Sequence, residues 1–357
     1  MGSFIIYNIA LLAPLLFYIT NNKNRIAYFV SAVIIILIAV FRYDVGWDYS
    51  GIVLYYDIVS DNSYSIFFKE PLLFMICKIF SNPANGFIYV FAVYFILTFF
   101  FLYKTLEYYD VLNEGMFMFI ALGYLFITFD QIRQCLAISI FMFSFRYMER
   151  KDFLKFLLCY ILAANAHFSA LLLLPFYWLL RIRIPLWIYL VGVFLMVLLY
   201  YLEVWTNLRE SLFSIIPYYN KYAERPEYLL SVKASSGVGV VFFIALSVLS
   251  IIYFKLIENR IIVNSIFFGL LIYLFASGNL NIYRVSNYFS FSIIVSVGLL
   301  LKNSSRNLFR AILIFSTIIW MQGLIYTNHA GCKPYNHIFS KEARERSLLE
   351  DEEADFK

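Results

Sequence analysis

Charged residues, paired cysteines and histidine are all scarce in this chain. Asp, Glu, Lys and Arg make up 14% of its 357 residues, whereas a typical soluble domain carries about 25%. The four cysteines show no C-x-x-C spacing and three lie in apolar segments, which indicates small core residues rather than disulfides. The three histidines, at 167, 329 and 337, have no ligand spacing, so we expect no metal site.

Motifs for nucleotide and hydrolase chemistry are missing as well. The sequence contains no GxxxxGK[ST] loop, HExxH helix, GxSxG elbow or GxGxxG fingerprint. We therefore expect no cofactor, and no ATP-driven, zinc-protease or serine-hydrolase activity. The net charge of +5 comes from short basic clusters at helix ends, so it indicates membrane topology and not a nucleic-acid partner.

Apolar residues are abundant instead, at 62% of the chain. Repeated apolar runs of about 17–20 residues predict an all-α polytopic membrane protein. The N-terminus lacks a basic n-region, so we expect its first apolar run to be a span and not a cleavable signal peptide. About twelve transmembrane helices are predicted, near 4–20, 26–41, 87–103, 112–130, 131–148, 153–166, 168–180, 185–202, 237–257, 261–278, 282–301 and 309–326.

One further apolar segment is too interrupted to span. Residues 66–82 contain Lys69, Glu70, Pro71 and Lys78, and we predict a re-entrant or interfacial helix with Pro71 in its first turn. The whole of 1–326 is then a single transmembrane domain, followed by a polar C-terminal tail at 327–357. The largest predicted extracytoplasmic loop is 203–236.

Lys and Arg in the short loops set the predicted orientation. Threading twelve spans gathers these basic clusters on one side, which is therefore cytoplasmic. Both termini then face outward. The other side collects charges that topology does not require: Arg42, Asp44, Asp48, Glu70, Arg133, His167, Arg225 and Arg284. Because charges at membrane depth are costly and usually face a cavity or a substrate, we expect a polar cavity open to the outer face.

The tract FRYDVGWDYSG, Phe41–Gly51, supplies three of those charges. Asp44 and Asp48 could act as a general base on a sugar hydroxyl or bind a cation, or they could be solvated loop residues. Gly46 between them favours a turn over a helix. Arg42 could contact substrate or snorkel from its helix end.

Two more charges lie near the predicted cavity. Arg133, followed by Gln134 at an outer helix start, could bind phosphate oxygens bidentately, or it could form a structural ion pair with Asp130. Glu70 could be a second cavity carboxylate or an acid favoured by a helix N-terminus.

His167 lies at a break between two apolar runs, where it could donate to phosphate, shuttle a proton or simply be a hydrogen-bonded core residue. Arg284, between Tyr283 and Tyr288, could bind substrate or a lipid headgroup. The polar residues around it, Asn287 among them, and the tyrosines suit a sugar-binding lining.

A series of short motifs in order resembles a known family. FRYDVGWDYSGIVLYY, KEPLLF, RQCLA, HFSALLLLP and YRVSNYF cover residues about 40–290 and look like the EpsG family of Wzy-like bacterial polysaccharide polymerases. Trp47 departs from the family pattern, which commonly has a small or hydroxyl residue there. PYNHIF, 334–339, resembles the family's aromatic ending only loosely.

The resemblance implies a glycosyltransferase of the bacterial cytoplasmic (inner) membrane. Such proteins join undecaprenyl-pyrophosphate-linked oligosaccharide units at the periplasmic or exterior face, producing O-antigen, capsule or exopolysaccharide. The resemblance also implies partners for this chain: the lipid-linked substrate, membrane lipid, a chain-length regulator and a flippase. We expect Asp44 or Asp48 to be the catalytic base, with His167 as the alternative base. We expect Arg133 and Arg284 to bind and stabilise the leaving pyrophosphate. Substrate contacts are expected from Arg42, Glu70, Gln134, Tyr283, Tyr288 and Asn287.

Two other function classes fit parts of the sequence. A lipid-linked oligosaccharide flippase or transporter predicts charges at the bilayer midplane and symmetry between halves, but the charges here gather at one face. A membrane O-acyltransferase could use His167 as base, but it gives the arginines no role.

Overall fold

The computed structural model describes residues 2–20, 24–61, 70–81, 85–202, 204, 237–276 and 280–339. Most of these residues are helical. The α-helices are α1 Gly2–Ile19, α2 Arg25–Val40, α3 Tyr49–Ser60, α4 Pro71–Ile79, α5 Phe87–Tyr108, α6 Leu112–Ala121, α7 Tyr124–Asp130, α8 Ile132–Glu149, α9 Phe153–Ala166, α10 Phe176–Leu179, α11 Leu186–Tyr201, α12 Val238–Ile252, α13 Phe254–Ile257, α14 Arg260–Phe275, α15 Leu280–Ser290, α16 Ser292–Asn303 and α17 Asn307–Tyr326. Two 3₁₀ segments occupy Phe168–Leu173 and His329–Gly331, and two short strands are β1 Arg42–Tyr43 and β2 Asn336–His337.

Several helix starts follow directly from the local sequence. The side chain of Asn24 accepts a hydrogen bond from the amide of Ile26 at 3.1 Å and caps α2. Asn259 caps α14 in the same way through the amide of Ile262, also at 3.1 Å. Helix α4 begins at Pro71, as the sequence predicted, because proline has no amide hydrogen to lose in the first turn.

The described residues divide into two compact units. The first takes its residues from Met1–Ser144, Leu157–Leu172 and Ser304–Lys357. In it α1 packs against α2, α6 and α17, and α3 packs against α4 and α5. Every residue of α7 is buried, and so is nearly all of α6, which places this pair at the core of the unit.

The second unit takes its residues from Phe145–Phe156 and Leu173–Asn303. Helix α14 is at its centre and packs against α11, α12, α15 and α16. Buried Asn264 on α14 donates to the backbone carbonyls of Leu180 at 2.8 Å and Ile182 at 2.9 Å. Because these carbonyls follow the end of α10, the amide satisfies acceptors that the short helix leaves free.

The apolar run 112–130, expected to be one span, is broken in the structure. Helices α6 and α7 are bent by 63° relative to each other. The break falls at Gly123, whose φ of +82° is accessible to glycine at little cost. A side chain there would also collide with Leu324 of α17, since a Cβ would lie 2.2 Å from its Cδ1.

The all-α membrane class is confirmed, whereas the number of spans is not. Four described helices are long and apolar enough to cross a membrane, or five if the bent α6–α7 pair is counted as one span. They lie at Gly2–Ile19, Phe87–Tyr108, Ile282–Asn303 and Asn307–Tyr326. Five further apolar helices of 10–17 residues are shorter than a span requires. The total of twelve therefore stays a prediction. The loop at 203–236, apart from residue 204, and residues 66–69, 82 and 340–357 lie outside the described part.

Candidate functional site

The FRYDVGWDYSG tract is held in place from two sides within the first unit. Strand β1 pairs antiparallel with β2, with Arg42 opposite His337. The amide of Gly46 donates to the carbonyl of Gly331 at 3.1 Å. Gly46 itself lies against the end of α7, where a Cβ would come within 2.3 Å of the Phe129 carbonyl oxygen. The tract is thus fixed to α7 and to the C-terminal segment 329–339.

Asp130 connects this tract to the start of α8. One of its carboxylate oxygens accepts from the backbone amide of Asp48 at 3.1 Å. The other accepts from the side-chain amide of Gln131 at 3.3 Å. Asp48 stands at the N-terminus of α3, and its charge acts on Arg133 in the first turn of α8.

Glu70 is the centre of the candidate site. Its Oε2 accepts a hydrogen bond from Nη1 of Arg133, and its Oε1 lies 3.1 Å from Nδ1 of His167. Glu70 immediately precedes α4, Arg133 belongs to α8 and His167 follows α9. Three elements therefore bring one carboxylate, one guanidinium and one imidazole together.

Burial and charge decide the ionisation of this cluster. The side chain of Glu70 is 12% exposed, compared with 29% for Arg133 and 25% for His167. Burial raises the pKa of Glu70, but the hydrogen bond from His167 and the positive charge of Arg133 outweigh it, and the pKa lies below its ordinary value. The carboxylate is therefore ionised at neutral pH, and it can only accept hydrogen bonds.

The tautomer of His167 follows from that ionised partner. Because the carboxylate cannot donate, Nδ1 of His167 must carry the hydrogen that points to Glu70. In the neutral imidazole Nε2 is then an acceptor. A carboxylate that orients a histidine through Nδ1 is the arrangement of many general bases.

Only part of the Arg133 guanidinium is bound by Glu70. Glu70 engages only Nη1. Within the part of the chain that the structure describes, Nε and Nη2 of Arg133 have no protein acceptor. An arginine held through one nitrogen presents the rest of its planar fork to an anion.

Two tyrosines that sequence reasoning did not single out border the cluster. Tyr55 lies on α3 and Tyr94 on α5, and the charges of Glu70 and Arg133 act on both phenols. Neither hydroxyl has a hydrogen-bond partner among the described residues. No signal marked them in a sequence with 30 tyrosines.

The other predicted residues of the first unit are placed differently. Asp44 is exposed with a φ of +51°, and Trp47 is 66% exposed. Gln134 is buried.

Arg42 is 2% exposed. Its guanidinium lies between the rings of Phe91 and Phe129, 5.0 and 4.8 Å from their centres, and its Nη1 donates to the carbonyl of Ala39 at 2.7 Å. Arg42 is thus embedded in aromatic core, and its substrate role stays a prediction.

The last group of predicted residues lies on α15 in the second unit. Arg284 and Tyr283 are partly exposed, and Tyr283 packs against the ring of Tyr273 with 5.6 Å between ring centres. Asn287 and Tyr288 are buried. The shared action of Arg133 and Arg284 on one pyrophosphate stays a prediction.

No group of three or more metal-ligating side chains occurs among the described residues. The side chains of the cluster are suited to anion binding by Arg133 and to proton transfer by His167, and Glu70 positions both.

Comparison with protein families identifies the chain. The EpsG family model matches residues 25–337. The chain belongs to the EpsG family. The matched residues of this EpsG family member include Glu70, Arg133 and His167. They extend to strand β2, which pairs with β1 in the FRYDVGWDYSG tract. Neither the curated proteins nor the solved structures gave a match. Membership places this chain among multi-pass membrane proteins of polysaccharide biosynthesis.

Proposed function

We propose that this EpsG family member is a polysaccharide polymerase that joins oligosaccharide units carried on undecaprenyl pyrophosphate. The observation that carries the proposal is the pairing of Arg133 and His167 with the single carboxylate of Glu70. Transfer of a glycan from a lipid pyrophosphate requires a cation for the leaving group and a base for the acceptor. The cluster holds one of each, in the region that the family match covers.

The reaction breaks the bond between the anomeric carbon of the growing chain and its pyrophosphate oxygen. The bond electrons leave with the lipid pyrophosphate, and the free N–H groups of Arg133 stabilise the charge that develops there. A hydroxyl of the incoming unit forms the new glycosidic bond and gives its proton to Nε2 of His167. The ionised carboxylate of Glu70 stabilises the imidazolium that results.

The remaining predicted residues have supporting roles in this proposal. Asp44 and Asp48, for which the sequence also predicts a role as base, accept hydrogen bonds from sugar hydroxyls beside the site. Arg284 binds phosphate oxygens, the role that the sequence predicted for it. The cluster faces the outer side of the cytoplasmic membrane, where flipped lipid-linked units are available, and the pyrophosphate bond supplies the driving force.

Deletion and complementation in the native host test the proposal. The gene is deleted and then supplied as wild type or as Arg133→Ala, His167→Ala or Arg284→Ala, and the surface polysaccharide is separated on a gel. We expect a single repeat unit from the deletion, a full ladder with wild type and loss of the ladder with each variant. Lys104→Ala is the matched control, because the ion pair of Lys104 with Glu107 is exposed, and such pairs contribute little. Membrane amounts of all variants are compared by immunoblot.

Two results would contradict the proposal. A near-normal ladder with both Arg133→Ala and His167→Ala would remove the cluster from the reaction. Accumulation of lipid-linked units on the cytoplasmic side of the deletion strain would show a flippase instead.

A further inference from the structure

Basic residues outnumber acidic ones in two neighbouring segments of the second unit. Residues 149–155 join α8 to α9, and residues 177–183 include the end of α10. Together they contain five basic and two acidic residues. Asp152 forms an ion pair with Lys155 at 2.9 Å, and Glu149 accepts a hydrogen bond from a side-chain amide at 2.6 Å. Three basic residues form no ion pair within the described part of the chain: Lys151, Arg181 and Arg183.

Aromatic packing joins the two segments. The ring centre of Phe153 lies 5.0 Å from that of Tyr177 and 5.6 Å from that of Trp178. The guanidinium carbon of Arg181 lies 4.9 Å from the same Tyr177 ring centre, a cation–π contact that orders the side chain. Because Lys151 precedes Phe153 by two residues, Lys151 and Arg181 flank one aromatic cluster.

The guanidinium of Arg181 is oriented but not hydrogen-bonded. Tyr177 contacts it with a ring face, and among the described residues no side chain or carbonyl accepts from its N–H groups. A basic residue that only sets membrane topology needs no fixed orientation. An ordered guanidinium with unused N–H groups instead suits bidentate binding of a phosphate.

Exposed apolar side chains lie directly beside these cations. Leu154 is 68% exposed, Trp178 54% and Ile182 47%. Trp178 and Ile182 stand on either side of Arg181 in the sequence, and Leu154 follows Lys151 by three residues. Tryptophan favours the boundary between headgroups and hydrocarbon. A ligand with both a phosphate and a hydrocarbon tail matches this surface, whereas a soluble phosphate would leave its apolar half uncovered.

We propose that Lys151, Arg181 and Trp178 form a binding site for one anionic phospholipid. Arg181 binds two oxygens of the lipid phosphate, Lys151 adds a second positive charge, and the indole of Trp178 packs along the first part of an acyl chain. Basic pockets between membrane helices bind anionic headgroups in this way. The site is separate from the Glu70 cluster, and it stands or falls independently of the polymerase proposal.

Equilibrium titration of the full chain in an uncharged detergent tests the site. The probes are phosphatidylglycerol and phosphatidylcholine with identical acyl chains, and native mass spectrometry measures the bound lipid. We expect phosphatidylglycerol to bind at least about fivefold more tightly. Arg181→Gln and Lys151→Gln should each weaken its binding about fivefold, as loss of one cation near an anionic headgroup does, and leave phosphatidylcholine unchanged. Trp178→Ala should weaken the binding of both lipids.

Arg310→Gln is the matched control. Arg310 also lies over a tyrosine, 5.5 Å from the ring centre of Tyr18, but its Nε already donates to the Tyr18 hydroxyl at 2.9 Å. We expect this variant to bind phosphatidylglycerol like wild type. Arg181→Lys keeps the charge and should recover part of the affinity that Arg181→Gln loses, which distinguishes lost charge from lost packing. Thermal unfolding without added lipid shows that each variant is folded.

Three results would overturn the site. The first is equal affinity of wild type for the two lipids. The second is an equal loss of phosphatidylglycerol binding with Arg310→Gln and Arg181→Gln, because it would show attraction to basic charge in general. The third is displacement of phosphatidylglycerol by an equal concentration of glycerol 3-phosphate, because it would show a soluble phosphate ligand.

Discussion

Glu70 shows how much of this site depends on one carboxylate. Its two oxygens hold two residues distant in sequence, Arg133 and His167, separated from it by 63 and 97 positions. It contacts neither substrate in the proposed reaction and acts as a positioning residue. Partners that orient reacting groups commonly contribute 10–100-fold to activity, as those around metal ligands do.

Glu70→Gln should therefore lower the polymerisation rate at least about 10-fold. The amide has one acceptor oxygen in place of two, so its NH₂ group would face the N–H of either Arg133 or His167, donor against donor. The measurement is the initial rate of chain extension in membrane vesicles, with membrane amount checked. Glu70→Asp keeps the charge, so we expect partial rescue, which a merely structural role would not require.

Glu107→Gln is the control for that substitution. Glu107 also pairs with a cation, but its side chain is 48% exposed and its partner Lys104 lies one turn away on the same helix. We expect no change in rate, since exposed pairs contribute about 0–1 kcal/mol. Equal rates for the Glu70→Gln and wild-type chains would contradict the positioning role.

At the residue scale, the sequence identified candidate site residues but not which of them contact one another. Glu70, Arg133 and His167 all stood out as charges that topology did not require, yet no spacing rule joins positions so far apart. Arg42 stood out for the same reason, but the structure places it between two phenylalanine rings. A sequence shows that a charge is unusual, whereas only the fold shows whether it faces a cavity or the core.

At the scale of elements, the C-terminal segment has a role that the predicted polar tail did not suggest. Strand β2 pairs with β1, the hydroxyl of Tyr7 donates to the carbonyl of Cys332 at 2.6 Å, and Tyr335 donates to the carbonyl of Ile38 at 2.8 Å. This segment holds the FRYDVGWDYSG tract against α7. Pairing over such a separation leaves no local pattern, so it could not be predicted.

Gly46→Ala tests whether the tract must approach α7 this closely. The φ of +106° is strained for alanine, and the Cβ would lie 2.3 Å from the Phe129 carbonyl oxygen. We expect a loss of about 1–3 kcal/mol in stability and loss of polymer, because the displaced tract no longer holds Asp48 at Asp130. Thermal unfolding in detergent and the polysaccharide ladder measure the two effects.

Gly51→Ala is the matched control, five residues further along. Gly51 lies in α3, and nothing lies within 4 Å of its Cβ position. Alanine is favoured over glycine in a helix by about 0.5–1 kcal/mol, so this variant should be as stable as wild type or more so. If both glycine variants behave alike, close packing of the tract on α7 is not required.

At the scale of the whole molecule, composition established the membrane class but not the number of crossings. Hydropathy treats 112–130 as one run because both halves are apolar, whereas the bend at Gly123 depends on a single φ and on Leu324 from a distant helix. Apolar helices of 14–16 residues, such as α9 and α11, also read as spans. The composition of a segment shows that it lies in an apolar environment. It does not show how long the helix is or where the helix bends.

The orientation of α5 can be tested directly. Its 22 residues extend about 33 Å, enough for one crossing of a core about 30 Å thick. Helix α4, with nine residues, extends only about 14 Å and cannot cross. Residues before α5 and after it should therefore lie on opposite sides, with the FRYDVGWDYSG tract outside.

Labelling of introduced cysteines with a membrane-impermeant maleimide measures this. Trp47→Cys and Ser81→Cys should react in intact spheroplasts, and Glu107→Cys only after permeabilisation. Cys77, Cys135 and Cys332 are buried, and the substitutions are made in a Cys159→Ser chain because native Cys159 is partly exposed. Labelling of Ser81→Cys only from inside would make α4 part of a crossing. Labelling of Trp47→Cys only from inside would place the Glu70 cluster on the cytoplasmic side. The lipid-linked donor is proposed to be on the outer side, so this result would contradict the polymerase proposal.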